Sequence, residues 1–148
     1  MVSASFISST VASFFNTREK STRETVKTGW DPIDEIMDGG LGAGELGVVV
    51  APAGIGKTWC LQTIASAAVK AGLNVVHYTL ELNQNYVGLR YDTVFSGVTT
   101  SDIKFYQDDV KKKIDALKGT LLIKYFPTKS ASVQTLTSHL SQIEIQGN

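Results

Sequence analysis

The residues best suited to chemistry lie in one octet, Ala51-Pro52-Ala53-Gly54-Ile55-Gly56-Lys57-Thr58. Cradling a triphosphate takes several backbone N–H groups aimed into one concavity, which demands small residues and positive φ. Gly54 and Gly56 meet that demand. Lys57 can reach the β and γ phosphates, and the Thr58 hydroxyl can serve a Mg²⁺ ion. Thr58 and Trp59 stand at the start of a helix whose positive end points at the anion. The usual pattern opens with glycine, and Ala51 holds that position here. An ordinary glycine turn is the bland alternative. Strand, loop, Gly-Lys-Thr and amphipathic helix nevertheless arrive in the required order, so the expected ligand is ATP with Mg²⁺, held by residues 51–59.

Hydrolysis needs a group that orients or activates water beside the γ phosphate. Ligands of parallel sheets sit at the carboxyl ends of the strands. Glu81 closes the apolar run Val75–Leu80, so it can approach the phosphates held by Lys57, and these two are the candidate catalytic residues. A plain surface glutamate is the competing reading. His77 reads as a packed mid-strand histidine and Cys60 as a small core residue. Arg90, in the helix after Glu81, can pair with an acid or act across a subunit boundary.

The elements that must position these groups follow from the hydrophobic pattern. Leu46 to Ala51 reads as a buried parallel strand, and Val75–Leu80 and Leu121–Phe126 as two more. Leu61, Ile64, Ala65 and Ala68 share a face of the loop helix, and Val87, Tyr91, Val94 and Phe95 a face of the next. A further helix, capped by Ser101, carries Ile103, Tyr106, Val110, Ile114 and Leu117. The last, opened by Ser130 or Ser132, turns Val133, Leu136, Leu140 and Ile143 inward. Strands alternating with helices predict an α/β fold with a parallel sheet. Residues 28–148 form the expected ATP-binding domain. Residues 1–27 read as a short helix, with Ile7, Val11, Phe14 and Phe15 apolar, and a charged arm.

The 148 residues carry 14 basic and 14 acidic side chains, so no global positive surplus draws the chain to nucleic acid. One cysteine excludes an internal disulfide and a cysteine-rich zinc site. No signal peptide or membrane anchor is evident, and a cytoplasmic protein is expected.

The same residues resemble the RecA-like P-loop core of DnaB-type replicative DNA helicases. Thr28-Gly29-Trp30 with Ile33-Asp34 is similar to that family's entry motif, and Gly39-Gly40-Leu41 through Gly44-Glu45-Leu46 to its lead into the first core strand. Ala51–Thr58 is similar to its Walker A loop, which also begins with alanine, and Thr79-Leu80-Glu81-Leu82 to the segment bearing its catalytic glutamate. Arg90-Tyr91-Asp92 and Leu121–Thr128 look most like the helicases of T-even-type phages. The resemblance implies a RecA-like sheet flanked by helices, and ATP hydrolysis driving movement on single-stranded DNA by a hexameric ring. It also implies a later strand ending in a Mg²⁺-binding aspartate, the Walker B strand, which this sequence lacks. The expectation is therefore the N-terminal half of such a core, with DNA contacts made only by the complete protein. A RecA- or KaiC-like recombination ATPase is one alternative, and a nucleotide-binding module without turnover another. A small-molecule kinase fits less well, because Arg90 is the only arginine after Lys57.

Overall fold

Asp34 is a carboxylate taken out of water, so its oxygens need donors. In the computed structural model, which describes residues 24–146, the donors are local. The backbone N–H and hydroxyl of Thr28 donate to Oδ1 at 2.7 and 2.8 Å, and the Gly29 N–H donates to Oδ2 at 3.3 Å. The Thr28 backbone bond is the main cause that holds the carboxyl below its ordinary range, against the opposing effect of burial. This clip joins β1 (Thr25–Val26) to α1 (Asp31–Ile36). β2 (Leu41–Gly42) then returns antiparallel to β1, with Thr25 opposite Gly42. Gly40 makes that return with φ +116°, and a Cβ there would strike the Val26 carbonyl. The predicted N-terminal helix lies outside the described residues. The end of the predicted arm, Thr25–Val26, is β1.

The central pair is β3 (Val75–Thr79) and β4 (Leu121–Tyr125), parallel and in register from Val75–Leu121 to Thr79–Tyr125. α2 (Lys57–Lys70) precedes β3, α3 (Gln84–Ser96) and α4 (Gln107–Asp115) make the crossover, and α5 (Val133–Gln146) follows β4. The described chain is thus α/β with a small parallel sheet. α3 is its hub, touching α2, α4 and β4. Its Val87 and Tyr91 are buried as the pattern predicts, and Val69 of α2 and Val110 of α4 close the core beside them. The Tyr91 ring stacks on Phe95 at 5.8 Å, and its hydroxyl meets His77 Nδ1 of β3 at 2.8 Å. Among the described residues no helix is long and apolar enough to cross a membrane.

The predicted strand at Leu46–Ala51 is not part of either sheet. Leu46, Val48 and Val50 are 87%, 72% and 87% exposed. A strand gains its bonds and burial from neighbours, and among the described residues no ladder includes this run.

Three helices also differ from their patterns. Leu61 of α2 faces solvent, while Gln62, Ser66 and Val69 take the covered side with Ala68. Contact with α3 selects that face: Gln62 Nε2 donates to the Val87 carbonyl of α3 at 3.1 Å, while within α2 the Ser66 hydroxyl donates to the Gln62 carbonyl at 2.7 Å. The helix predicted from Ser101 is broken at Tyr106, with a 3₁₀ turn at Ile103–Phe105 before α4. Thr99 binds Asp102 Oδ2 at 2.7 Å there, so Thr99 rather than Ser101 meets the acid of that turn. α5 opens at Ser132, whose hydroxyl accepts the Thr135 N–H at 3.2 Å. Leu136 and Ile143 are half-buried, whereas Val133 and Leu140 are exposed.

Two outcomes follow from this packing. Burial holds His77 below the ordinary 6.5, so on acidification the unfolded chain takes up the proton first. Stability is then full above about pH 6.5 and falls as pH drops toward the folded value, by at most about 1.4 kcal/mol per pH unit for one proton. Asp92, raised by burial, acts with the opposite sign nearer the carboxylate range. Urea unfolding between about pH 7.5 and about pH 5.5 should show the loss, and His77→Phe should flatten it. An equal slope in both proteins would dismiss His77 as the cause. Separately, the exposed Leu46, Val48 and Val50 row should drive self-association at micromolar concentration. Light scattering after size exclusion should show mass rising with concentration, and Val48→Lys with Val50→Lys should suppress it. A concentration-independent monomer would contradict this.

Candidate functional site

Lys57 draws its own loop into a ring. Its ammonium donates to the carbonyls of Ala51 at 2.8 Å and Pro52 at 2.9 Å. Two of its three N–H donors are thereby used and one is left for a ligand. Within the ring Gly54 and Gly56 take φ of +81° and +103°. A Cβ at either position would meet no atom within 4 Å, so the backbone angle, and not crowding, demands glycine. Gly56 is also the N-cap of α2 and supplies no side-chain bond to its first N–H groups. Those donors and the positive end of a 14-residue helix remain free to meet an anion.

The opposite wall starts where β3 ends. Thr79 Oγ1 donates to the Leu82 carbonyl at 2.7 Å and accepts the Leu82 N–H at 3.2 Å. That turn fixes Leu80–Leu82 and carries Glu81 just past the strand. Asn83 fixes the other side: its Oδ1 accepts the Asn85 N–H at 2.9 Å and caps α3. Glu81 therefore rides a short link held at both ends. Asn83 ahead of an apolar helical stripe is a capping signal that the hydrophobic pattern alone does not register.

Between the walls lies a cavity of about 350 Å³. Ala53, Gly54, Gly56, Lys57, Thr58 and Trp59 form one side, and Glu81, Leu82 and Arg90 the other. Ala51 and Pro52 stand outside the lining and hold Lys57 by their carbonyls, while Ile55 is 70% exposed and off the wall. Leu82 and Arg90 are additions to the predicted set. The Arg90 guanidinium lies 5.1 Å from the Trp59 ring centroid. The residues fit a nucleoside triphosphate, with two positive-φ glycines, an open helix start and one ammonium around a polar space. For a metal ion the donors are fewer. Among the described residues no cluster of three acidic, histidine or cysteine side chains could hold one, leaving the Thr58 hydroxyl beside the ligand's own phosphates.

No family model matches the chain. It is similar to a replicative helicase of the DnaB-like kind. That relative is the DnaB-like replicative helicase of Enterobacteria phage T4, 26% identical over 124 residues. The match covers 78% of this chain and 26% of the relative, so the chain spans about a quarter of that protein's length.

Because the Gly56 angle and not its surroundings excludes a side chain, Gly56→Ala should destabilise the fold by about 1–2 kcal/mol. Urea unfolding reads this directly. An unchanged midpoint would mean that the loop relaxes freely and is no preformed cradle.

Proposed function

We propose that this chain binds ATP with Mg²⁺ at residues 51–58 and belongs to an ATP-driven DNA helicase of the RecA-like, DnaB kind. The observation that carries the reading is the convergence of Gly54, Gly56, Lys57 and the uncapped start of α2 with Glu81 across one cavity. The similarity to a phage replicative helicase supports the helicase part. In this reading the loop N–H groups and α2 hold the phosphates, and Lys57 gives its free donor to the β and γ oxygens. The Thr58 hydroxyl would be the protein group to hold Mg²⁺, which would supply charge neutralisation when bound. Glu81 orients a water for attack on the γ phosphorus and takes its proton, while the bond from that phosphorus to the β–γ bridging oxygen breaks and ADP and phosphate leave. In the longer helicase, copies forming a ring would couple this hydrolysis to movement along single-stranded DNA.

A second reading, nucleotide binding with little turnover, draws on the lining itself. Glu81 is the one carboxylate on the cavity wall among the described residues, so no second acid stands by to hold the metal. Binding should therefore be robust and phosphate release by the isolated chain slow.

Titration with a fluorescent ATP analogue should show Lys57→Ala weakening binding by about 1.5–3 kcal/mol, or roughly tenfold to a hundredfold. Glu81→Gln should bind as wild type and lose whatever phosphate release the wild type has. Equal affinity of wild type and Lys57→Ala would sink the loop assignment, and rapid release untouched by Glu81→Gln would remove Glu81 from the chemistry.

A further inference from the structure

Glu81 is aimed by the two peptide planes that flank it, because each peptide is rigid and only the dihedrals at the Cα are soft. The plane after Glu81 is held by its own turn, through the Leu82 N–H on Thr79 Oγ1 at 3.2 Å. The plane before it carries the Leu80 carbonyl, and that oxygen accepts the Thr128 hydroxyl at 3.2 Å. One residue further back, the Thr79 carbonyl accepts the Phe126 N–H at 2.9 Å. Two successive carbonyls leading into Glu81 are thus taken by the segment that follows β4, with Thr128 48 residues from Leu80 in sequence.

That segment is itself a tight turn. The Pro127 carbonyl accepts both the Ser130 N–H at 3.0 Å and the Ser130 hydroxyl at 2.6 Å. Lys129 between them takes φ +67°, a left-handed angle that a lysine rarely adopts unless the surrounding chain imposes it. Behind the turn, the Tyr78 hydroxyl of β3 meets His139 Nδ1 of α5 at 2.8 Å, and the Phe126 ring meets the His139 ring edge to face at 6.0 Å. Thr128 therefore reaches Leu80 from a braced turn. Its bond is open to solvent, so it adds little to stability, and its value lies in direction.

We infer that Thr128 is a positioning residue for Glu81: by holding the Leu80 carbonyl, its hydroxyl sets the peptide plane from which Glu81 is aimed into the cavity. The inference rests on the proposed nucleotide site and on the part given there to Glu81. It adds a residue that stands outside the cavity lining and acts only through the main chain. Aim matters because a carboxylate that orients water works by geometry, and a misplacement of about 1 Å can cost on the order of a hundredfold in rate. Losing one solvent-open hydroxyl bond costs less, and it leaves the phosphate loop untouched.

The test uses the full chain as wild type, Thr128→Val and Thr128→Ser, with urea unfolding to confirm that each folds. Glutamate carboxyls are labelled with carbon-13, and the Glu81 signal is assigned by its loss in Glu81→Gln. Each protein is saturated with Mg²⁺ and an ATP analogue whose β–γ bridge is a methylene, a measurement that needs no turnover. In parallel, release of the γ phosphate from ATP is followed under single-turnover conditions. The analogue should move the Glu81 signal in wild type and in Thr128→Ser, and move it less in Thr128→Val at unchanged affinity. Phosphate release in Thr128→Val should slow by about threefold to tenfold wherever wild type shows release. A wild-type Glu81 response at saturation in folded Thr128→Val overturns the inference alone, as does a Thr128→Ser protein that behaves like Thr128→Val. If wild type binds the analogue and its Glu81 signal stays still, the role proposed for Glu81 falls, and this inference with it. If wild type binds no nucleotide, the proposed function itself falls.

Discussion

A buried tyrosine must find a partner for its hydroxyl, and in this chain the choice of partner fixes the site. Tyr91 is 1% exposed, and burial raises its phenol so that it stays protonated. That hydroxyl shares a 2.8 Å hydrogen bond with Nδ1 of His77, whose neutral form burial also favours. The bond ties α3, which begins at the Asn83 cap, to β3, and so constrains which flank α3 turns to α2. Once α3 is placed, the Thr79 turn and the Asn83 cap leave Glu81 little freedom. The neighbour of Tyr91 then has to project beside Trp59. One bond in the core thereby makes the second wall of the cavity.

The first wall is held differently. Lys57 spans back to the carbonyls of Ala51 and Pro52, so the residue that would contact a phosphate also closes the loop that would cradle it. A phosphate oxygen competes with these carbonyls with the advantage of charge, since bonds between ionised partners are about twice as strong as neutral ones. The clasp costs a ligand little to modify, because one ammonium donor is already free. It also limits how far the loop can spread, which matters for a segment whose two glycines have no packing contact at Cβ.

Much of this was legible in the sequence because it depends on local chemistry. Gly54, Gly56 and Lys57 must sit as they do wherever a strand-like run meets a helix through that octet. Glu81 was found because it ends an apolar run, and Val87 and Tyr91 because their spacing matches one helical face. What failed were features set by distant cover. Leu46–Ala51 is as apolar as any strand in the chain, yet pairing depends on a neighbour that its own composition cannot supply. α2 buries Gln62 and Ser66 in preference to Leu61 where α3 lies against it, with carbonyls accepting from the Gln62 amide nitrogen and the Ser66 hydroxyl while the Gln62 Oε1 is left without a partner. The sequence marks Arg90 as a helix residue able to pair with an acid or act across a subunit boundary, but its place on the cavity wall depends on the rotation of α3, which the buried Tyr91 constrains.

The two ends of the phosphate loop are thus unequally secured. Downstream, α2 is anchored in the core by Val69 and Gln62. Upstream, Leu46–Val50 joins neither sheet, and the Lys57 clasp is the bond that ties Ala51 and Pro52 back to α2. A cradle works by preorganisation, since donors that must be ordered on binding give up affinity to conformational entropy. Ordering the apolar run against a neighbouring strand would stiffen the loop it feeds, just as burying Leu46, Val48 and Val50 would favour that pairing. Loop rigidity and cover of the run are therefore coupled through the backbone of Leu46–Ala51, with Lys57 as the link that both share.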